Sequence, residues 1–134
     1  MKVLLDEQID FRMKATLRGF SVQTLHDVGW IGLKNGALRE MLNANGFDLF
    51  ITADKNLPFQ QNFSKINFTL VLLDLPTLLW QHQQLFVPSI TSLLKNPPSP
   101  LPIVVHIGLQ GLSKGRKINA LKKLLPPSDI LFIT

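Results

Sequence analysis

The chain has 134 residues, 46% of them hydrophobic and 17% charged, with no cysteine and a formal net charge of +5. The missing cysteine excludes a disulfide scaffold, a thiolate zinc site and a thiol nucleophile. The apolar share excludes a disordered chain, and the length suits one compact domain with its own core.

In chain order, Lys2–Leu5 reads as a short strand that ends in Asp6-Glu7. Ile9, Met13, Leu17 and Phe20 recur at helical spacing, and Gly19 stops that helix. Ser21 to Leu25 alternates as a strand, and His26 to Gly32 is a glycine-punctuated loop. Leu38, Met41 and Leu42 make a helical face closed by Asn45-Gly46. Strands are expected at Phe47–Thr52 and Phe68–Leu73, ending at Asp54 and Asp74. A helix runs from Thr77 to Lys95, kinked or split at Pro88. Asn96–Pro102 is a rigid connector, and Ile103–Ile107 is another strand. Beyond it lie a basic turn, a short amphipathic helix (Ile118, Leu121, Leu124, Leu125) and the run Ile130–Ile133, which is either a sixth strand unit or a loose tail.

Strands alternating with helices at this spacing predict an α/β fold, a three-layer α/β/α sandwich on a mostly parallel sheet. A lone Lys2 followed by acids does not make a signal peptide. The longest apolar stretch, Phe68–Trp80, is broken by Asp74 and Pro76 and is too short to span a membrane. A cytoplasmic protein with no membrane partner is the expectation.

The charge is unevenly spread. Residues 1–74 carry eight bases and eight acids, whereas residues 75–134 carry six bases and one acid. The excess is concentrated in Lys114, Arg116, Lys117, Lys122 and Lys123. Lys114, Arg116 and Lys117 suit an arm that contacts RNA phosphates; a plain solvated face is the alternative.

Acids punctuate the strand ends at Asp6, Asp27, Asp54 and Asp74. In an open parallel sheet, ligands bind beyond the carboxyl ends of the strands, where such side chains converge. Crowded carboxylates repel one another, and Mg²⁺ or Mn²⁺ is the cation suited to an all-oxygen set. Such an ion activates water against a phosphodiester. Each acid is also an ordinary turn or N-cap residue; Asp27 and Asp74 lean that way, and Asp6 with Asp54 lean towards chemistry. Trp30 either stacks on a base or plugs the rim of the core, His26, His82 and His106 read as structural, and Leu78, Leu79, Leu85 and Phe86 read as core or a homodimer face.

Two resemblances follow. The first strand with Asp6-Glu7, and Asp54 after the third, look like a two-component receiver domain. That family also needs a hydroxyl residue ending its fourth strand and a lysine ending its fifth, and IVVHIGLQ has no lysine. The stretches KVLLDE, DVGWIGLKNG and FDLFITADKNLPFQQN, in that order, resemble the short PIN-like family over residues 1–108. Its members are relatives of PilT N-terminal nuclease domains, many of them toxins of toxin–antitoxin pairs.

This second resemblance implies a PIN-like fold and a Mg²⁺- or Mn²⁺-dependent ribonuclease. Asp6, Asp54 and Glu40 would be catalytic, and Asp6, Asp54 and Glu7 would hold the metal. Lys34 and Asn35 match the family's loop-to-helix turn and, with Asn56, would meet the substrate; Lys34 and Lys55, near the acidic end, suit phosphate contacts, with solvated surface lysines as the alternative. Ala37 stands where the family carries a helix-opening Glu, with Glu40 one turn on, and Asn56 stands where a fourth acid is usual. The alternative is therefore a catalytically weakened or inactive module that binds RNA or a cognate antitoxin. Residues 109–134 form a basic C-terminal extension outside the resemblance.

Overall fold

The computed structural model describes residues 1–134. Six strands form one sheet: β1 (Lys2–Leu5), β2 (Ser21–Thr24), β3 (Leu49–Thr52), β4 (Thr69–Leu73), β5 (Val104–Ile107) and β6 (Ile130–Ile133). Their order is β2-β1-β3-β4-β5-β6, and every pairing is parallel. The sheet is thus wholly, not mostly, parallel. β3, β4 and β5 are buried along their full length, as strands covered on both faces must be.

Six helices cover the two faces: α1 (Arg12–Thr16), α2 (Leu25–Val28), α3 (Asn35–Ala44), α4 (Trp80–Gln83), α5 (Val87–Lys95) and α6 (Ile118–Leu124). Alternate strand residues divide the core into two parts. Val3, Leu5, Ile51 and Val105 pack with Met13 of α1 and with Ile90 and Leu93 of α5. Leu4, Phe50, Leu70 and Val104 pack with Leu38 and Leu42 of α3 and Leu121 of α6. The result is an α/β/α sandwich. None of its helices is long and apolar enough to cross a membrane.

The β4–β5 connection has an unusual hand. From β2 through β6 the chain crosses the sheet in one direction, and the other forward connections lie on the α3/α6 face. The β4–β5 connection advances the same way but lies on the α1 face, so its hand is opposite. Only about 2% of such crossovers depart from the right-handed rule. Here the departure carries residues 75–83 back across the carboxyl end of the sheet towards β1. Gln83, 1% exposed, holds them there: its Oε1 accepts from Asp10 N at 2.8 Å, and its Nε2 donates to the carbonyl oxygens of Gln8 (3.1 Å) and Leu78 (2.8 Å).

Several boundaries differ from the sequence reading. Ile9, Met13 and Leu17 are all buried as the periodicity requires, yet α1 spans only Arg12–Thr16. Residues before it form a turn, in which Ile9 N donates to Asp6 O and the Asp10 side chain binds Arg12. The start of the expected His26–Gly32 loop is helical: α2 is closed by a capping box between Thr24 and Asp27 and by Gly29 at φ 74°. Thr77–Lys95 is divided into α4, a 3₁₀ turn at Gln84–Phe86 and α5, with Pro88 in the first turn of α5. Of its apolar stripe only Phe86 enters the core; Leu78, Leu79 and Leu85 are exposed.

Residues 109–134 are built into the sheet. β6 pairs with β5, and Leu121 and Ile130 are buried in the α3/α6-side core. The segment after Gly108 is therefore a sixth strand unit.

Candidate functional site

The strand order reverses between β1 and β3: the chain leaves β1 for β2 on one side and returns to β3 on the other. A crevice opens at the carboxyl ends of such a strand pair. Asp6 directly follows β1, and Asp54 follows β3 by two residues. The topology thus places both acids at the switch point.

Thr52, fully buried as the last residue of β3, ties them together. Its hydroxyl donates to Asp6 Oδ2 at 2.7 Å and accepts from Asp54 N at 3.1 Å. Asp6 Oδ1 accepts from Glu7 N at 2.8 Å, and Asp54 Oδ1 from Asn56 N at 3.0 Å. Burial pushes the Asp6 carboxyl above the usual carboxylate range; the bonds from Thr52 and Glu7 N oppose this, and the Glu7 and Asp54 charges add to it. No lysine, arginine or histidine pairs with Asp6 or Asp54: the ion pairs of the chain are Asp10–Arg12, Asp27–Lys14 and Asp74–Lys55.

The two carboxylates line different hollows. Asp6 and Glu7 border a cleft of about 890 Å³ between α1 and α2, whose walls carry Phe11, Lys14, Arg18 and Ile31. Asp54 borders a hollow of about 320 Å³ with Gln8, Lys55 and Thr77, walled by the oppositely handed connection. No three His, Cys, Asp or Glu side chains stand close enough to hold an ion by themselves. Two carboxylates remain a fitting set for Mg²⁺ or Mn²⁺, because such ions keep several waters and take one or two carboxylates together with substrate phosphate.

Other expected residues are placed differently. Glu40 lies on the exposed face of α3, and the charges acting on Asp6 are those of Glu7 and Asp54. Ala37 is exposed one turn earlier. Lys34 precedes α3 and is solvent-exposed, while Asn35 borders a shallow hollow with Leu57 and Gln61. The Lys55 ammonium pairs with Asp74 Oδ1 at 3.0 Å and donates to Leu75 O at 3.1 Å. A phosphate held by Lys55 would share the ammonium with the buried Asp74 carboxylate. Trp30 is half-buried and meets Phe47 edge-on at 5.6 Å, so it plugs the core. Asp27 caps α2 and pairs with Lys14, as a structural acid should.

Asp74, a structural acid by its sequence context, is tied into the fold. It is 1% exposed, and its Oδ2 accepts from Gly115 N at 2.9 Å while its carbonyl accepts from Ser113 Oγ at 2.7 Å. His106 Nε2 stands 3.6 Å from Oδ2, beyond hydrogen-bonding reach. Burial holds the His106 imidazole below its ordinary range despite the nearby Asp74 charge. The basic loop is in this way fastened beside the acids, and Lys117 Nζ donates to Asn56 Oδ1. Nothing in the sequence spacing announces a contact across sixty-one residues. Comparison with known family models, curated proteins and solved structures finds no significant match to this chain.

Proposed function

We propose that this protein is a metal-dependent ribonuclease of the PIN-like toxin type that hydrolyses RNA phosphodiester bonds. The observation that carries the reading is the pair Asp6 and Asp54 at the switch point, without a cationic partner from the chain, with the Asp6 carboxyl pushed up by burial. Asp6 and Asp54 would hold Mg²⁺ or Mn²⁺, with Glu7 reaching it through water. The bound ion would supply activation of water and neutralisation of phosphodiester charge. Thr52 holds the Asp6 carboxylate in one orientation, and Asn56 fixes the turn that presents Asp54. The α1/α2 cleft beside Asp6 has room for the nucleotides that flank a scissile phosphate.

The test is cleavage of single-stranded RNA by purified protein with Mn²⁺. Asp6→Asn and Asp54→Asn should each abolish it, and activity equal to wild type in both variants would end the reading. The exposed Ala37 and the outward Glu40 favour a second reading, a non-catalytic module that binds RNA or a cognate antitoxin. That module would retain RNA and release no products.

A further inference from the structure

Lys114, Arg116 and Lys117 form an exposed basic turn on the segment between β5 and α6. Lys114 and Arg116 make no ion pair, and the only acid in residues 75–134 is Asp129. Like charges on so short a segment repel one another, and an untethered loop would splay into solvent. Three anchors hold it. Gly115 N binds the buried Asp74 carboxylate, Ser113 Oγ binds Asp74 O, and Leu109 N donates to Ser113 Oγ at 2.7 Å. Gly115 sits at φ +66° and Lys117 at φ 65°, left-handed conformations that reverse the chain within three residues. For lysine this is a strained backbone, stabilised by the contacts around it. The reversal sends the Lys117 ammonium to Asn56 Oδ1 and over the Phe59 ring, 5.5 Å from its centroid. Asn56 N in turn binds the Asp54 carboxylate.

We infer that residues 108–117 are a phosphate-binding loop for the backbone of single-stranded RNA, and that Asp74 is the residue that positions it beside Asp54. The inference rests on the ribonuclease reading for its choice of RNA. Lys117 contacts a backbone phosphate on the Asp54 side of the crevice, and Lys114 and Arg116 extend the same rim. Asp74 does not touch the substrate. Its negative charge is spent inside the protein on Gly115 N and Lys55, and what it contributes is the place of the loop.

Charge arithmetic separates this role from bulk electrostatics. Asp74→Asn makes the protein one unit more positive, so a purely electrostatic binder would hold RNA more tightly. A positioned loop would hold it less tightly. Binding of a short oligouridylate is measured without divalent cation, across a salt series, for wild type, Lys117→Ala, Asp74→Asn and Ser113→Ala. Ser113→Ala removes two anchors and no charge, and it keeps the inference testable should Asp74→Asn fail to fold. Lys117→Ala should flatten the slope of log affinity against log salt by about 0.7, the value of one lost single-strand phosphate contact. Asp74→Asn and Ser113→Ala should both weaken binding and flatten the slope while circular dichroism stays that of wild type. Undetectable wild-type binding, an unchanged slope in Lys117→Ala, or wild-type or tighter binding in a folded Asp74→Asn or Ser113→Ala protein would overturn the inference. Cleavage by Asp6→Asn and Asp54→Asn at the wild-type rate would remove the nuclease reading but leave these binding results standing.

Discussion

Asp6 carries a conflict between stability and chemistry. Its carboxylate loses hydration on folding, and neighbouring Glu7 and Asp54 charges add to the cost, which the Thr52 and Glu7 N bonds only partly offset. A carboxyl raised in this way adds stability while protonated and loses that contribution as pH climbs through its raised value. Asp6→Asn should therefore raise the thermal midpoint at pH 7 while abolishing cleavage, since the amide has no charge to desolvate and its one oxygen can still accept from Glu7 N. A lowered midpoint would show that the carboxylate stabilises the fold. Thr52→Val removes a bond that favours the charged form, so it should raise the Asp6 carboxyl further, read by carbon NMR titration, and cost about 1–2 kcal/mol. His106 has the opposite sign of behaviour. Its neutral form is favoured by burial, so stability is complete above the ordinary imidazole range near 6.5 and falls as pH drops through it, because the unfolded chain takes the proton first. Urea midpoints should decline between pH 7 and pH 5, and His106→Phe should flatten the decline.

At the level of elements, local chemistry sets the ends, and distant packing sets what those ends do. The Thr24–Asp27 capping box was present in the sequence as a spacing of three residues, and Asp27→Ala should cost about 1 kcal/mol of stability. The periodicity of Ile9, Met13 and Leu17 correctly marked a buried face, but it overstated α1, because the turn after Asp6 is held by side-chain bonds that a hydrophobic pattern cannot register. Gln83 is the clearest case. A polar residue in a helical stretch reads as solvent-facing, yet this one is buried and braces Gln8 and Asp10 through the oppositely handed connection. Gln83→Leu leaves Asp10 N without its partner and should cost roughly 1–3 kcal/mol. Urea denaturation measures that loss, and wild-type stability would show that the brace is dispensable.

For the whole molecule, the parallel sheet explains how much of the site could be read from the sequence. Strand ends followed by acids located Asp6 and Asp54, because the carboxyl edge is a topological consequence of strands alternating with helices. The positions of Lys55, Glu40 and Lys117 depend on loop paths and side-chain partners that spacing does not encode. The uneven charge has also gained a location. The basic excess of residues 75–134 stands partly beside the acids of residues 1–74, because β6 and α6 fold back onto the sheet. Truncation after Gly108 should accordingly unfold or aggregate the protein, by removing Leu121, Ile130 and the edge strand that covers β5. The proposed ribonuclease requires that Asp6 and Asp54 hold a divalent ion. A crystal soaked in Mn²⁺ and measured for anomalous scattering tests it most directly. A peak at the Asp6 and Asp54 carboxylates, lost in Asp6→Asn, is the expected result; a peak elsewhere only, or none, would contradict it.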